Sequence, residues 1–192
     1  MAGLARAVAA IVVFSAGAIS VAAGEPRVSL VPWRVIEPGA KIDAPLVLFW
    51  VPASSEELRR SELLTSDDLS LGSSRCVAMR VVRANDYARL AALGVEGNVP
   101  MAVLADRNGN VIGRVEADDG VLPIGEVEEL VLDELDRREA EAEELLDRAR
   151  ARAAERDADA ALRIYQAVAE AHCVCPRQAR DARRAMRKLG RK

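Results

Sequence analysis

The distribution of apolar and polar residues divides this chain into an apolar leader, a stretch of alternating short elements, and a long helical tail. Arg6 is the only charge before Glu25, and the residues between them run from Ala7 through Phe14 and Ile19 to Ala23 with no ionisable side chain. One basic residue, an apolar stretch and small residues at Val21 and Ala23 form the pattern of an export signal cleaved after Ala23. An uncleaved anchor is the alternative, although the run is shorter than the ~20 residues of a comfortable span. Both readings put the remainder outside the cytosol.

Arg27 to Ile36 is mixed in character and broken by Pro32, so it reads as an edge strand at best. Pro38-Gly39 is a turn. Leu46-Val-Leu-Phe-Trp-Val51, bounded by Pro45 and Pro52, is continuously apolar, which suits a strand buried on both faces of a parallel sheet. Ser54 followed by Glu57 is a capping box, so a helix starts there and runs toward Leu64. Cys76 to Val82 is a second buried strand. Asn85 or Asp86 caps a short helix that Gly94 ends. Met101 to Ala105 and Val111 to Val115 are strands joined by Asp106-Arg-Asn-Gly-Asn110, a hairpin signal. After a loop at 120–125, Val127, Leu130, Val131 and Leu135 recur at helical spacing. This order predicts an α/β domain: a central mixed sheet, parallel in its first half and antiparallel at the hairpin, flanked by helices.

The second half of the chain is helical in pattern. Asp136 to Glu144 is nearly all charge and alanine, a solvated helix or helical linker. Asp157-Ala-Asp159 offers a break and a new cap. Beyond it, Ala161, Leu162, Tyr165, Val168 and His172 share one face, and Ala179, Ala182, Met186 and Leu189 another. The expected organisation is a signal over 1–23, a sheet domain over 27–138, and a helical extension over 139–192.

Composition narrows the function. The net charge of -3 on a chain that is 30% charged argues against nucleic-acid binding over its whole surface. The imbalance is local: Arg177 to Lys192 holds eight Lys or Arg and one acid, Asp181. A solvated helix face accounts for most of that, and contact with an anionic surface such as lipid headgroups is the sharper reading. Three cysteines, Cys76, Cys173 and Cys175, are too few and too odd for a disulfide scaffold.

Between Ala44 and Arg138 the sequence resembles the thioredoxin superfamily. Leu46-Val-Leu-Phe-Trp-Val-Pro-Ala-Ser-Ser-Glu-Glu57 is similar to the family's strand leading into its Cys-x-x-Cys helix. Leu90 to Ile112, containing Gly94-Val-Glu-Gly-Asn-Val-Pro100, is similar to its cis-proline loop and following hairpin. The resemblance implies that Val99-Pro100 is cis. It also implies that Ser54 and Glu57 occupy the positions of the family's two cysteines. There the helix N-terminus would lower the pKa of the first thiol. A serine and a glutamate have no disulfide chemistry. The redox site is therefore degenerate, no catalytic residue and no cofactor are expected, and two readings stay open. Trp50, Val99 and Pro100, with Ser54 and Glu57, form a groove that binds an extended peptide, or Ser54 and Glu57 are only a cap and the proline only a turn.

The expected function is thus an exported, redox-inactive interaction or scaffolding module with a protein partner. The alternative is an exported thiol-disulfide oxidoreductase or isomerase using Cys173 and Cys175. Cys76 reads as a buried structural thiol. His172-Cys-Val-Cys175 is too short a turn to place three ligands around a tetrahedral ion, so no metal is expected. Cys173 and Cys175 read either as inert thiols or as a small-ring disulfide. The stretch from Ala161 to Leu189 resembles a tetratricopeptide helical hairpin. Such repeats bury their faces against neighbours, so the tail must pack on the sheet domain, on another copy or on a partner.

Overall fold

The computed structural model describes residues 29–97 and 99–190. The expected signal segment, 1–23, lies outside them. No helix among the described residues is long and apolar enough to cross a membrane.

Five strands form one sheet: β1 (Arg34–Val35), β2 (Leu46–Val51), β3 (Val77–Val81), β4 (Met101–Asp106) and β5 (Val111–Glu116). Their spatial order is β1-β3-β2-β4-β5. β1, β3 and β2 run parallel, and β2, β4 and β5 are antiparallel neighbours. All six residues of β2 are buried, because it lies in the centre of the sheet with helices or loops over both faces. Alternation divides its side chains. Leu46, Leu48 and Trp50 face one core and Val47, Phe49 and Val51 the other.

The second of these cores is closed by Ile36, Ala44 and the end of α3 (Tyr87–Ala92), which Asp86 caps by accepting from Arg89 N at 3.3 Å. The first is closed by α2 (Asp67–Ser74) and by α4 (Ile124–Ala154), whose Val127, Val131 and Leu135 lie on the sheet. Gly113 of β5 permits this approach: a Cβ there would sit 2.5 Å from Leu130 Cδ1. The helix expected to run from Ser54 to Leu64 is shorter and broken. α1 covers Glu57–Arg60, Ser61 is extended at ψ 142°, and a 3-10 turn follows over Glu62–Leu64. α2 had no counterpart in the sequence pattern.

α4 is one helix of 31 residues that passes straight through the boundary expected at 138/139. The charged stretch within it continues the helix, with Ala142, Leu146 and Ala149 buried beneath α5 (Ala158–Glu170) and α6 (Pro176–Leu189). Asp157 caps α5 by accepting from Ala160 N at 3.1 Å. Ala161, Tyr165 and Val168 point inward as their spacing implied, whereas His172 is exposed. The tail thus packs on α4 and joins the same core as the sheet.

Glu134 of α4 is a buried carboxylate between two cations. It accepts from Arg137 Nε at 2.7 Å and Nη2 at 2.8 Å and from Arg138 Nε at 2.7 Å. Burial alone would raise its pKa, but the hydrogen bonds from Arg137 and Arg138 outweigh it and hold the carboxyl below its ordinary value. A depressed folded-state pKa stabilises fully above the unfolded value of ~4.3, and that stabilisation is lost as pH falls through the folded value. Glu134→Gln should therefore cost about 1–2 kcal/mol at neutral pH, with the half-exposed Arg137 keeping it modest. Urea titrations at pH 7 and pH 3 should show the gap between variant and wild type closing at the lower pH. A gap that stays constant would mean the ion pairs contribute nothing.

Candidate functional site

The parallel and antiparallel registers place the C-terminal ends of β2 and β3 beside the start of β4, with Val51 opposite Met101 and Trp50 opposite Val81. The loop into α1, the N-terminus of α3 and the Val99-Pro100 loop therefore share one end of the sheet. The Val99-Pro100 bond is cis, as expected. Ser54 is exposed and its Oγ accepts from Glu57 N at 3.1 Å. The Glu57 carboxylate reaches back to accept from Ala53 N at 2.7 Å and from Trp50 Nε1 at 3.2 Å. Both side chains are thus occupied as a cap, and Glu57 also satisfies the indole N–H of a core residue.

That arrangement corrects the groove expected at Trp50 and Pro100. Trp50 is 0% exposed and Pro100 is buried, so neither offers a surface to a ligand. Trp50 lies in the central strand, where its register sends the ring inward against Trp33, edge to face at 5.4 Å. Of the five residues expected in the groove, Ser54 and Val99 are exposed and Glu57 is half-buried. Tyr87, at the start of α3, is 76% exposed and belongs to the same end. Its place there follows from the strand order, which sets the end of β3, across β2, on the same side as the start of β4.

The cysteines lie at the opposite end. Cys76, just before β3, is bonded to Cys173 in the turn between α5 and α6, with Cα atoms 5.7 Å apart. This corrects two expectations: Cys76 is not a free thiol, and Cys173 pairs across the fold and not with Cys175. Cys175 is a buried free thiol. Burial pushes its pKa above the ordinary thiol value and the Glu139 carboxylate adds to the shift, so little thiolate forms at neutral pH. Arg75 secures the same turn. It donates to Val174 O from Nε at 3.1 Å and Nη2 at 2.6 Å, and pairs with Glu139.

A cleft of about 630 Å³ opens here, lined by all three cysteines, by Asp106 to Asn108 of the β4–β5 turn, and by Arg138 and Glu141 of α4. Asp106 is committed to the turn. Asn110 Nδ2 donates to it at 2.8 Å, and this bond, with those from Asn110 N and Asn108 N, lowers its pKa. His172 also lines the cleft, with Nδ1 3.1 Å from Glu170 O. Among the described residues no group of three or more His, Cys, Asp or Glu is arranged to hold a metal ion.

No protein-family model, curated protein or solved structure matches this chain. The geometry of the two sheet ends carries the functional argument alone. One end has an intact helix start with no thiol. The other has a disulfide and, at the N-cap of α6, the thiol of Cys175, which burial keeps protonated despite that helix start.

Proposed function

We propose that this protein is an exported, redox-inactive, thioredoxin-like module that binds or scaffolds another protein. The observation that carries the reading is the strand order β1-β3-β2-β4-β5, with three parallel strands followed by an antiparallel pair. It has the helix start after β2 at the place where such a fold would hold its redox cysteines. Ser54 and Glu57 stand there, engaged as a cap. A hydroxyl and a carboxylate so engaged leave binding, not electron transfer, as the use of that end, and exposed Tyr87 and Val99 supply apolar contact area beside it. The Cys76–Cys173 disulfide supports an oxidising compartment, in keeping with the leader over 1–23. The oxidoreductase alternative loses its dithiol, because Cys173 is engaged elsewhere and Cys175 is buried and protonated.

Dithiothreitol-driven reduction of insulin tests both readings. The wild-type protein should be inactive, and Ser54→Cys with Glu57→Cys should gain turnover, since the new first thiol would sit at a helix start one turn from its partner. Wild-type activity that disappears in Cys173→Ser with Cys175→Ser would establish the oxidoreductase instead. A folded double variant whose thiols at 54 and 57 never pair would remove the thioredoxin-like alignment. A photo-crosslinking residue at Val99 in the exported protein should give a discrete adduct that the same residue at Ile112 does not.

A further inference from the structure

Two helices carry exposed stripes of opposite charge with the same spacing. On α4, Glu126, Glu129, Asp133 and Asp136 follow one another at intervals of three, four and three residues and are all exposed. On α6, Arg177, Arg180, Arg184 and Arg187 repeat those intervals and are likewise all exposed. Such spacing puts each set on a single helix face, about 15 Å long. The opposite faces are used internally: Val127, Val131 and Leu135 of α4 are buried, as are Ala179 and Ala182 of α6.

Among the described residues none of these eight side chains has an ion pair. The contrast lies within α4 itself, whose later turns pair Arg137 with Glu134 and Glu141, and Arg150 with Asp147 and Glu143. Like charges three and four apart on a helix repel. The helix dipole excuses only the ends, because its effect fades within one turn. It favours Glu126 and Arg187, and it opposes Arg177, which stands in the first turn of α6 where an acid would be stabilised. Within one copy the two stripes do not meet.

We propose that the protein self-associates through these stripes, the acidic face of α4 in one copy lying against the basic face of α6 in a second. Each copy carries both halves, and the proposal is the two-fold arrangement that engages both contacts, a closed dimer. A net charge of -3 leaves little global repulsion between copies. The same net charge, with an acidic stripe on the same molecule, disfavours an anionic membrane as the occupant of α6.

Sedimentation equilibrium of the purified protein tests the proposal, with circular dichroism to show that each variant keeps its helix content. A dimer is expected in about 50 mM NaCl, with the association constant falling about tenfold or more in 500 mM. Arg180→Glu with Arg184→Glu should be monomeric, as should Glu129→Arg with Asp133→Arg. The variant combining all four reversals should dimerise again, because the stripes are then exchanged. A wild-type monomer at low salt overturns the proposal. So does a dimer indifferent to either pair of reversals, or a fourfold variant that stays monomeric. Flotation of a monomeric wild-type protein with vesicles of equal parts phosphatidylglycerol and phosphatidylcholine, lost in Arg180→Glu with Arg184→Glu, overturns it in favour of a lipid surface.

Discussion

Replacing Cys76 and Cys173 together by serine should lower the stability of the protein by about 3–5 kcal/mol. The bond joins residues 97 apart, so in the unfolded chain it closes a loop spanning half the sequence. Removing such a constraint returns conformational freedom to the unfolded state, and the entropy grows with loop length. The folded state feels the loss as well. Cys76 has a φ of 63°, a left-handed conformation that L residues other than glycine adopt only at a cost. Without the bond, the α5–α6 turn keeps only the Arg75 hydrogen bonds to Val174 O and the burial of Val174 and Cys175. Urea unfolding of wild type with and without dithiothreitol should reproduce the difference seen in the double variant. Hydrogen exchange should locate the first loss of protection in α5 and α6. A reduced protein as stable as the oxidised one would mean that the disulfide adds nothing to the docking of the tail.

Trp50→Ala should cost about 3–5 kcal/mol, the range for emptying a fully buried aromatic site. Trp50 is wholly enclosed, packs edge to face on Trp33, and gives its indole N–H to Glu57. Truncation forfeits the area, the ring pair and that hydrogen bond. Against a typical domain stability of roughly 5–15 kcal/mol, a loss of this size is a large fraction of the total. Trp50→Phe should lose much less, since it keeps most of the packing. Glu57→Ala should cost about 1–3 kcal/mol, because it leaves the Trp50 N–H buried without an acceptor. Thermal melts of the three variants would order them; Trp50→Ala within 1 kcal/mol of wild type would contradict the burial. The expectation that Trp50 contacts a ligand requires the opposite, a truncation that weakens binding and leaves the fold unharmed.

Much of the fold was legible because local chemistry specified it. The apolar run Leu46 to Val51 between two prolines is β2 to the residue. Asp86 and Asp157 cap α3 and α5, Ser54 caps the start before α1, and Asp106 organises the β4–β5 turn through its own backbone neighbours. These signals need only residues a few positions apart, so periodicity and hydrogen-bonding capacity suffice to read them. α2 was not legible. Asp67 to Ser74 contains only two leucines among polar residues and a glycine. Its helix is held by a Ser66 cap on Leu69 N at 3.0 Å, and by Gly72 lying where a Cβ would meet Val131 Cγ1 at 3.0 Å.

The candidate site divided along the same line. The absence of cysteines at 54 and 57 was a matter of residue identity, and the capping role followed from spacing. The partner of Cys173 was not open to such reasoning, since three cysteines allow several pairings and spacing does not choose among them. Neither was the burial of Trp50 and Pro100, which depends on which side of the sheet each faces and on what covers it. By itself the sequence determined most of the elements, several of their caps and the presence of a serine and a glutamate at the helix start after β2, because those rest on residue identity and on contacts within one or two turns. The tertiary structure alone decided that Cys76 meets Cys173, that α4 carries the tail back onto the sheet, and that the cysteines and the Ser54–Glu57 cap lie at opposite ends. Those outcomes depend on long-range packing, in which the favourable partner is a residue tens of positions away.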